Sequence, residues 1–270
     1  DESVLDMVSF RRVKTPTEAA AFKDGHLVKN PARIDPTNPV FEKVRKSLAA
    51  EFEFKGERIV VIANHLKSKL GDDAVYGSKQ PAVQNTLAQR IEQGKLLNAF
   101  VKEGLKQNPN LKFVLTGDFN DFEFSETAKA VAGNELVNMM LNHDAADRYS
   151  YFYRGSNQSL DNIFVSKNIA DKTVFSPVHI NASFMEEHGR ASDHDPVIAQ
   201  LDFSQKKDDT PPTQPTEPKP SGDSTTPPNR DDKPTKKRIL PSTGTTGAEV
   251  AVVGLVILSA TLLWRKKVTD

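Results

Sequence analysis

One break in composition limits what this chain can fold. From Gln205 to Arg238 it consists of Pro, Thr, Ser, Lys, Asp and their like, with no aromatic residue, as in PPTQPTEPKPSGDSTTPPNR. Such a segment buries too little apolar surface to offset its ordering entropy, and its prolines favour an extended spacer. A core must therefore come from about the first 203 of the 270 residues, a length suited to one large domain. An apolar fraction of 37% with fifteen Phe is enough for it. Basic and acidic residues balance at 36 each over the chain, and stand at 25 and 28 up to residue 203. No global basic field marks a polyanion partner. The absence of cysteine excludes a disulfide-stapled fold, thiol catalysis and a thiolate metal site. It leaves export open, because a domain of this size is stable without cross-links.

Within those 203 residues apolar runs alternate with helix signals. Arg58 to Asn64 (RIVVIAN) reads as a strand buried on both faces and ending at a polar site, and Lys112 to Thr116 (KFVLT) as another. Val83 to Leu105 carries Leu87, Ile91, Leu97 and Val101 among polar residues, a helical period. Glu126 to Leu141 reads as a second helix capped by Ser125. Leu160 to Val165 and Pro196 to Leu201 read as further strands. The mixture implies α/β or α+β layers around sheets, with no internal repeat.

Four polar groups stand where these strands stop. They are Asn64-His65, Asp118 with Asn120 in TGDFND, Asp161 in SLDNIFVS, and Asp193-His194-Asp195 in SDHDPV. Singly, each reads as a turn or a surface residue. Together they put several carboxylates and histidines beside rigid strands. Carboxylates gathered in one place repel one another unless a cation is present, and hard divalent ions take oxygen ligands. A histidine beside a carboxylate is a base poised near neutrality with its tautomer selected. Attack of water on a phosphoryl centre uses all of these parts. Asp195 and Pro196 read as a strand-opening turn that presents Asp193 and His194. Tyr149 and Tyr151 in YSYFY read as strand packing in preference to substrate stacking. His26, His143, His179 and His188 have no motif around them, and Lys67 and Lys69 fit a solvated loop as well as a contact to backbone phosphates.

ANHLKSK, TGDFND, SLDNIFVS and SDHDPV resemble the late motifs of the endonuclease/exonuclease/phosphatase family, which includes pancreatic deoxyribonuclease I and the base-excision-repair endonucleases. The closer resemblance is to the large extracellular nucleases of Gram-positive cocci. NPARIDP, Asn30 to Pro36, is similar to the Arg-containing strand motif of those enzymes. The resemblance runs from about residue 8 to 203. It implies a four-layer α/β/β/α sandwich with its active site where two sheets meet at one edge. It also implies roles: His194 as general base, Asp161 as its orienting partner, and Asp193 as a metal ligand. Asp118 and Asn120 would hold water, phosphate or metal, with Asp118 a second metal ligand. His65 would bind the phosphate and aid leaving-group protonation, with Asn64 and Arg33 as supports. The implied cofactor is Mg²⁺, with Ca²⁺ or Mn²⁺ as alternatives. Family members also carry an early Asn and an early metal-binding Glu ahead of the Arg motif, which Glu2, Glu18 and Glu51 do not match. The expectation is a catalytic domain lacking its N-terminal part, begun at an internal cut and with little or no activity in isolation.

The chain ends LPSTG-TTGAE-VAVVGLVILSATLLW-RKK. The apolar run 250–264 reads as a helix, short for a bilayer span, and Arg265, Lys266 and Lys267 would stay on the cytoplasmic side. With Leu240, Pro241, Ser242, Thr243 and Gly244 ahead of it, this arrangement resembles a sortase sorting signal. That resemblance implies cleavage between Thr243 and Gly244, transfer to peptidoglycan, and only transient membrane insertion. The expected organisation is a partial catalytic domain at 1–203, a disordered wall-spanning linker at 204–239, and a sorting signal at 240–270.

The leading expectation is thus a wall-anchored extracellular nuclease acting on DNA, with RNA or nucleotides as further substrates. A phosphomonoesterase of the 5′-nucleotidase kind, or another phosphodiesterase, would keep the same site. A non-catalytic surface adhesin would be expected to have lost the Asp161/His194 or Asp118/Asn120 pair, and both are intact.

Overall fold

A computed structural model describes residues 6–7, 19–74, 77–185, 189–203 and 253–254. In chain order its elements are β1 (Asp6–Met7), β2 (Phe22–Lys23), β3 (His26–Leu27), β4 (Ala32–Arg33), β5 (Leu48–Phe54), β6 (Glu57–His65), α1 (Leu87–Gln107), β7 (Lys112–Asp118), α2 (Glu126–Ala132), β8 (Leu136–Asn138), β9 (Tyr151–Tyr153), β10 (Ser156–Gln158), β11 (Asp161–Ser166), β12 (Thr173–Pro177), β13 (Val197–Leu201) and β14 (Val253–Gly254). Seven strands form one sheet, ordered β1-β5-β6-β7-β11-β8 with β4 also on β5. Only β6 and β7 pair in parallel there, and α1 lies in the connection between them, as a parallel pair requires. A second sheet contains β12, β13 and β14. The expected mixed α/β fold around a central sheet is present.

The period-two alternation of the central strands divides the core. Val60 and Ile62 of β6, Phe113 and Leu115 of β7, and Phe164 of β11 pack with Leu97 and Val101 of α1 and Ala128 and Val131 of α2. Their neighbours Ile59, Val114, Ile163 and Val165 face the other way and pack with Phe175, Val197, Ala199 and Leu201 of the second sheet. Helices, large sheet and small sheet thus make three successive layers. An outer helical layer over the small sheet is absent among the described residues.

Three element readings need correction. The helix expected over Glu126 to Leu141 ends at Ala132, although Ser125 caps it as expected by accepting from the amide of Ala128. Gly133, at φ 50°, turns the chain out of the helix, and Leu136 to Asn138 become an edge strand on β11. Helix α1 begins at Leu87 and not near Val83, which is 47% exposed. The linker and sorting signal lie outside the described residues except for Val253–Gly254, which are extended on β13 where a helix was expected. No helix among the described residues is long and apolar enough to cross a membrane.

Candidate active site

Strand register assembles the site. His65 ends β6, Asp118 ends β7, and Asp161 opens β11; His65 pairs with Asp118 across the parallel ladder, and Asp118 with Asp161 across the antiparallel one. Directly opposed residues share a face, so three side chains from distant parts of the chain stand in one row at the sheet edge. Gly117 makes this possible. Its φ is 126°, and a Cβ there would lie 2.1 Å from the carbonyl oxygen of Asn64.

The row is completed by His194, in the turn before β13. Its Nδ1 lies 2.6 Å from Oδ2 of Asp161, so Nδ1–H donates and Nε2 is left as the reactive nitrogen. Asp161 is buried and held from behind by Ser150, whose hydroxyl donates to the same Oδ2 at 2.8 Å and accepts from the Asp161 amide at 2.9 Å. Burial alone would lower the His194 pKa. The hydrogen bond and charge of Asp161, reinforced by Asp118 and Asp193, outweigh burial and raise it to about 9.

Asp118 is buried and sits 3.7 Å from Nε2 of His65. Burial, then the negative charge of Asp161, pushes its carboxyl up to about 7. Asn120, at φ 52°, fixes its geometry: the Asn120 amide donates to Oδ1 at 2.7 Å and its side-chain nitrogen to Oδ2 at 3.2 Å. Asp193 is exposed at the rim, from where its charge acts on Asp118 and His194.

On the far side of His65 lies an open basin lined by Arg33, Arg45, Lys46 and Asn64. Arg45 Nη1 is 2.9 Å from His65 Nε2. A guanidinium only donates, so Nε2 is the unprotonated nitrogen and His65 is neutral with its proton on Nδ1. Burial, followed by the Arg45 charge, lowers its pKa accordingly. In this arrangement His65 accepts from Arg45 and carries its proton on Nδ1. The reading of Asn64 as a support for the phosphate needs correction. Its NH₂ donates to the carbonyls of Ile62 and Thr116, so it ties strands together and has no donor left for a phosphate. Arg33 does line the basin.

Three contributors escape sequence reading. Arg45 and Ser150 carry no local pattern, and their partners are 20 and 11 residues away. Asp195 is more than part of a turn: its side chain is fully buried, Oδ1 accepts from the amides of Ile180, Asn181 and Ala182, and Oδ2 contacts His179 Nδ1. It anchors the segment that presents His194. Glu51, already set aside as a metal ligand, is buried among Leu27, His26 and Arg58. Lys69 is tied to Asp121 and lies over the Phe122 ring, so its solvated-loop reading is replaced by a packed one.

The donor set suits a hard divalent cation. Asp118 is a buried carboxylate destabilised by neighbouring negative charge, and Asp193 is open to solvent. Among the described residues no three acidic or histidine side chains converge closely enough to enclose a metal.

A buried carboxylate–histidine pair thus stands beside Asp118 and within reach of the charge of Asp193, at the edge of a layered α/β fold. The sequence matches the model of the Endonuclease/Exonuclease/phosphatase family over residues 19–194, and the chain belongs to that family. Its members are metal-dependent hydrolases of phosphate esters and diesters. Solved structures similar to this chain include truncated TDP2 from Caenorhabditis elegans, 16% identical over 56% of this chain and 58% of that one, TM-score 0.43. TDP2 from D. rerio complexed with single-strand DNA product is 19% identical over 58% and 62%, TM-score 0.40. The mannosyl-6-phosphatase of Bacteroides thetaiotaomicron is 21% identical over 59% and 57%, TM-score 0.42. The match thus spans about 58% of the first of these. No curated protein matches the chain.

Proposed function

We propose that this chain carries the catalytic edge of a divalent-metal-dependent nuclease that hydrolyses phosphodiester bonds in extracellular nucleic acid, DNA foremost. The reading rests on one observation: the His194–Asp161 pair stands in one row with Asp118 and His65 at a single sheet edge, and His65 borders the Arg33/Arg45 basin. His194 Nε2 takes the proton of an attacking water while Asp161 stabilises the imidazolium. Asn120 keeps Asp118 aimed into the site, and Arg45 and Arg33 bring permanent positive charge to the non-bridging oxygens. A divalent cation held by Asp118 and Asp193, Mg²⁺ first and Ca²⁺ or Mn²⁺ as alternatives, would neutralise phosphate charge and offset the negative charges that hold His194 high. A further carboxylate, from a longer polypeptide, completes the metal set in this reading, so residues 1–270 alone are expected to turn over little substrate.

The C-terminal segment supplies the setting. Leu240, Pro241, Ser242, Thr243 and Gly244, followed by an apolar run and three basic residues, make the chain a substrate of sortase, joined through Thr243 to the peptidoglycan of a Gram-positive cell. The Pro-rich spacer then holds the catalytic domain where it meets large polymers. The test is cleavage of plasmid DNA by the parent polypeptide with Mg²⁺, beside phosphate release from a mononucleotide. Plasmid cleavage abolished by EDTA and by His194→Ala is the expected result. Phosphate release without plasmid cleavage would favour the nucleotidase reading, and an unaffected His194→Ala variant would remove the assigned base.

A further inference from the structure

His179 stands behind the hydrolytic pair, although no motif surrounds it in the chain. It follows β12, and its side chain is 21% exposed. Nδ1 lies 2.9 Å from Oδ2 of Asp195, and Nε2 lies 3.0 Å from Oδ1 of Asp147. The second Asp147 oxygen meets Nε2 of His143 at 2.8 Å. The hydrogen bond from His143, opposed by burial and joined by that from His179, holds Asp147 below the usual carboxylate value. The Tyr149 ring lies flat on the His179 ring, with centroids 3.7 Å and planes 7° apart. Carboxylate oxygens only accept, so the doubly protonated ring donates to both neighbours. Neither nitrogen is left for a substrate or for service as a second base.

The contacts of this ring lead to both halves of the pair. Asp195 follows His194 in the chain, and its amide donates to the Ser150 carbonyl at 2.7 Å. Asn181 donates through its amide to Asp195 and through its side chain to the His194 carbonyl, at 2.7 and 3.0 Å. Tyr149 precedes Ser150, whose hydroxyl holds Asp161. His179 thus touches the turn that carries His194 on one side and the segment that aims Asp161 on the other. Deepening the nuclease reading, and resting on it, we propose that His179 is a positioning residue that fixes His194 against Asp161, through Nδ1–H on Asp195 and its stack on Tyr149. The Asp195 side chain is fully buried, so loss of this donor is costly and lets the turn shift. Proton transfer suffers from a small shift, because the base must stay within hydrogen-bond reach of the water. Asp147, with His143 behind it, stops the ring from turning.

The test compares two variants of the parent polypeptide by steady-state kinetics on a soluble diester with Mg²⁺. Asn carries its amide nitrogen on Cγ, where histidine carries Nδ1, whereas Gln places it at the depth of Nε2. His179→Gln should therefore keep the Asp147 side and lose the Asp195 side, lowering kcat about 10–100-fold with KM little changed. His179→Asn should restore most of the parent kcat. In a His194→Ala background His179→Gln should cause no further loss, since it acts only through that base. A His179→Gln enzyme as fast as the parent would overturn the role, as would one that fails to fold, which would make the contact structural. A His179→Asn variant that loses as much as His179→Gln, or a further loss in the His194→Ala background, would overturn it too. All of these leave the hydrolytic reading standing while His194→Ala alone is inactive. An active His194→Ala enzyme would remove that reading and the positioning role with it.

Discussion

At the scale of single residues, the site works because each charged group is given a fixed partner. Asp161 has two, Ser150 behind and His194 in front. Ser150→Ala leaves that carboxylate oriented only by His194, and a fall in kcat of about tenfold or more with little change in KM is expected in steady-state assays on a soluble diester. Arg45→Lys keeps the charge but loses the planar fork, so a raised KM with kcat less affected is expected. Gly117→Ala sets a Cβ against the Asn64 carbonyl and should destabilise the fold by on the order of 3 kcal/mol, read by chemical denaturation. The sequence makes the acid–base residues legible because each sits beside an apolar run that stops. Ser150, Arg45 and Asp195 stay hidden because nothing near them in the chain marks the contact, which only the register of distant strands creates.

Elements are held at the site edge by a second, purely structural charge network. Arg90 of α1 is fully buried, donates to Thr86, and pairs with Asp72 at 3.2 Å and Asp121 at 3.3 Å. It thereby fastens the start of the helix to the loop after His65 and to the turn after Asn120. Arg90→Ala would leave Asp72 without its cation and Asp121 with Lys69 alone, and should cost about 3–5 kcal/mol. Burial alone would raise the Asp72 pKa, but hydrogen bonds from Thr86 and the charge of Arg90 outweigh it and lower it. A lowered folded value means that the stabilisation is complete above the ordinary carboxylate value and is lost as pH falls through the folded one. Asp72→Asn should therefore be less stable than the parent at pH 7, with the gap closing below about pH 4 in thermal melts. Strands β6, β7, β11 and β13 and helix α1 are legible from their apolar patterns, whereas β5 is not, because Glu51 and Glu53 interrupt its apolar run. The end of α2 is not, because the apolar residues of Leu136 to Leu141 continue a plausible helical pattern that Gly133 interrupts by geometry.

For the whole molecule, the composition break at residue 203 and the C-terminal motif carry the proposal of a catalytic domain held at the cell wall. Pro241→Ala should remove the protein from the covalently bound wall fraction and leave it with its apolar C-terminal segment uncleaved, as read by fractionating wall, membrane and supernatant. The central claim is that His194 and Asp161 act as one unit in activating water for attack on a phosphodiester. It is tested most directly by the kcat/KM of His194→Ala, Asp161→Ala and the double variant, measured in the parent polypeptide with Mg²⁺. A shared unit predicts that the double variant is no slower than His194→Ala alone, with a loss of about 10²–10⁴. Losses that multiply, or a His194→Ala enzyme as active as the parent, would contradict it.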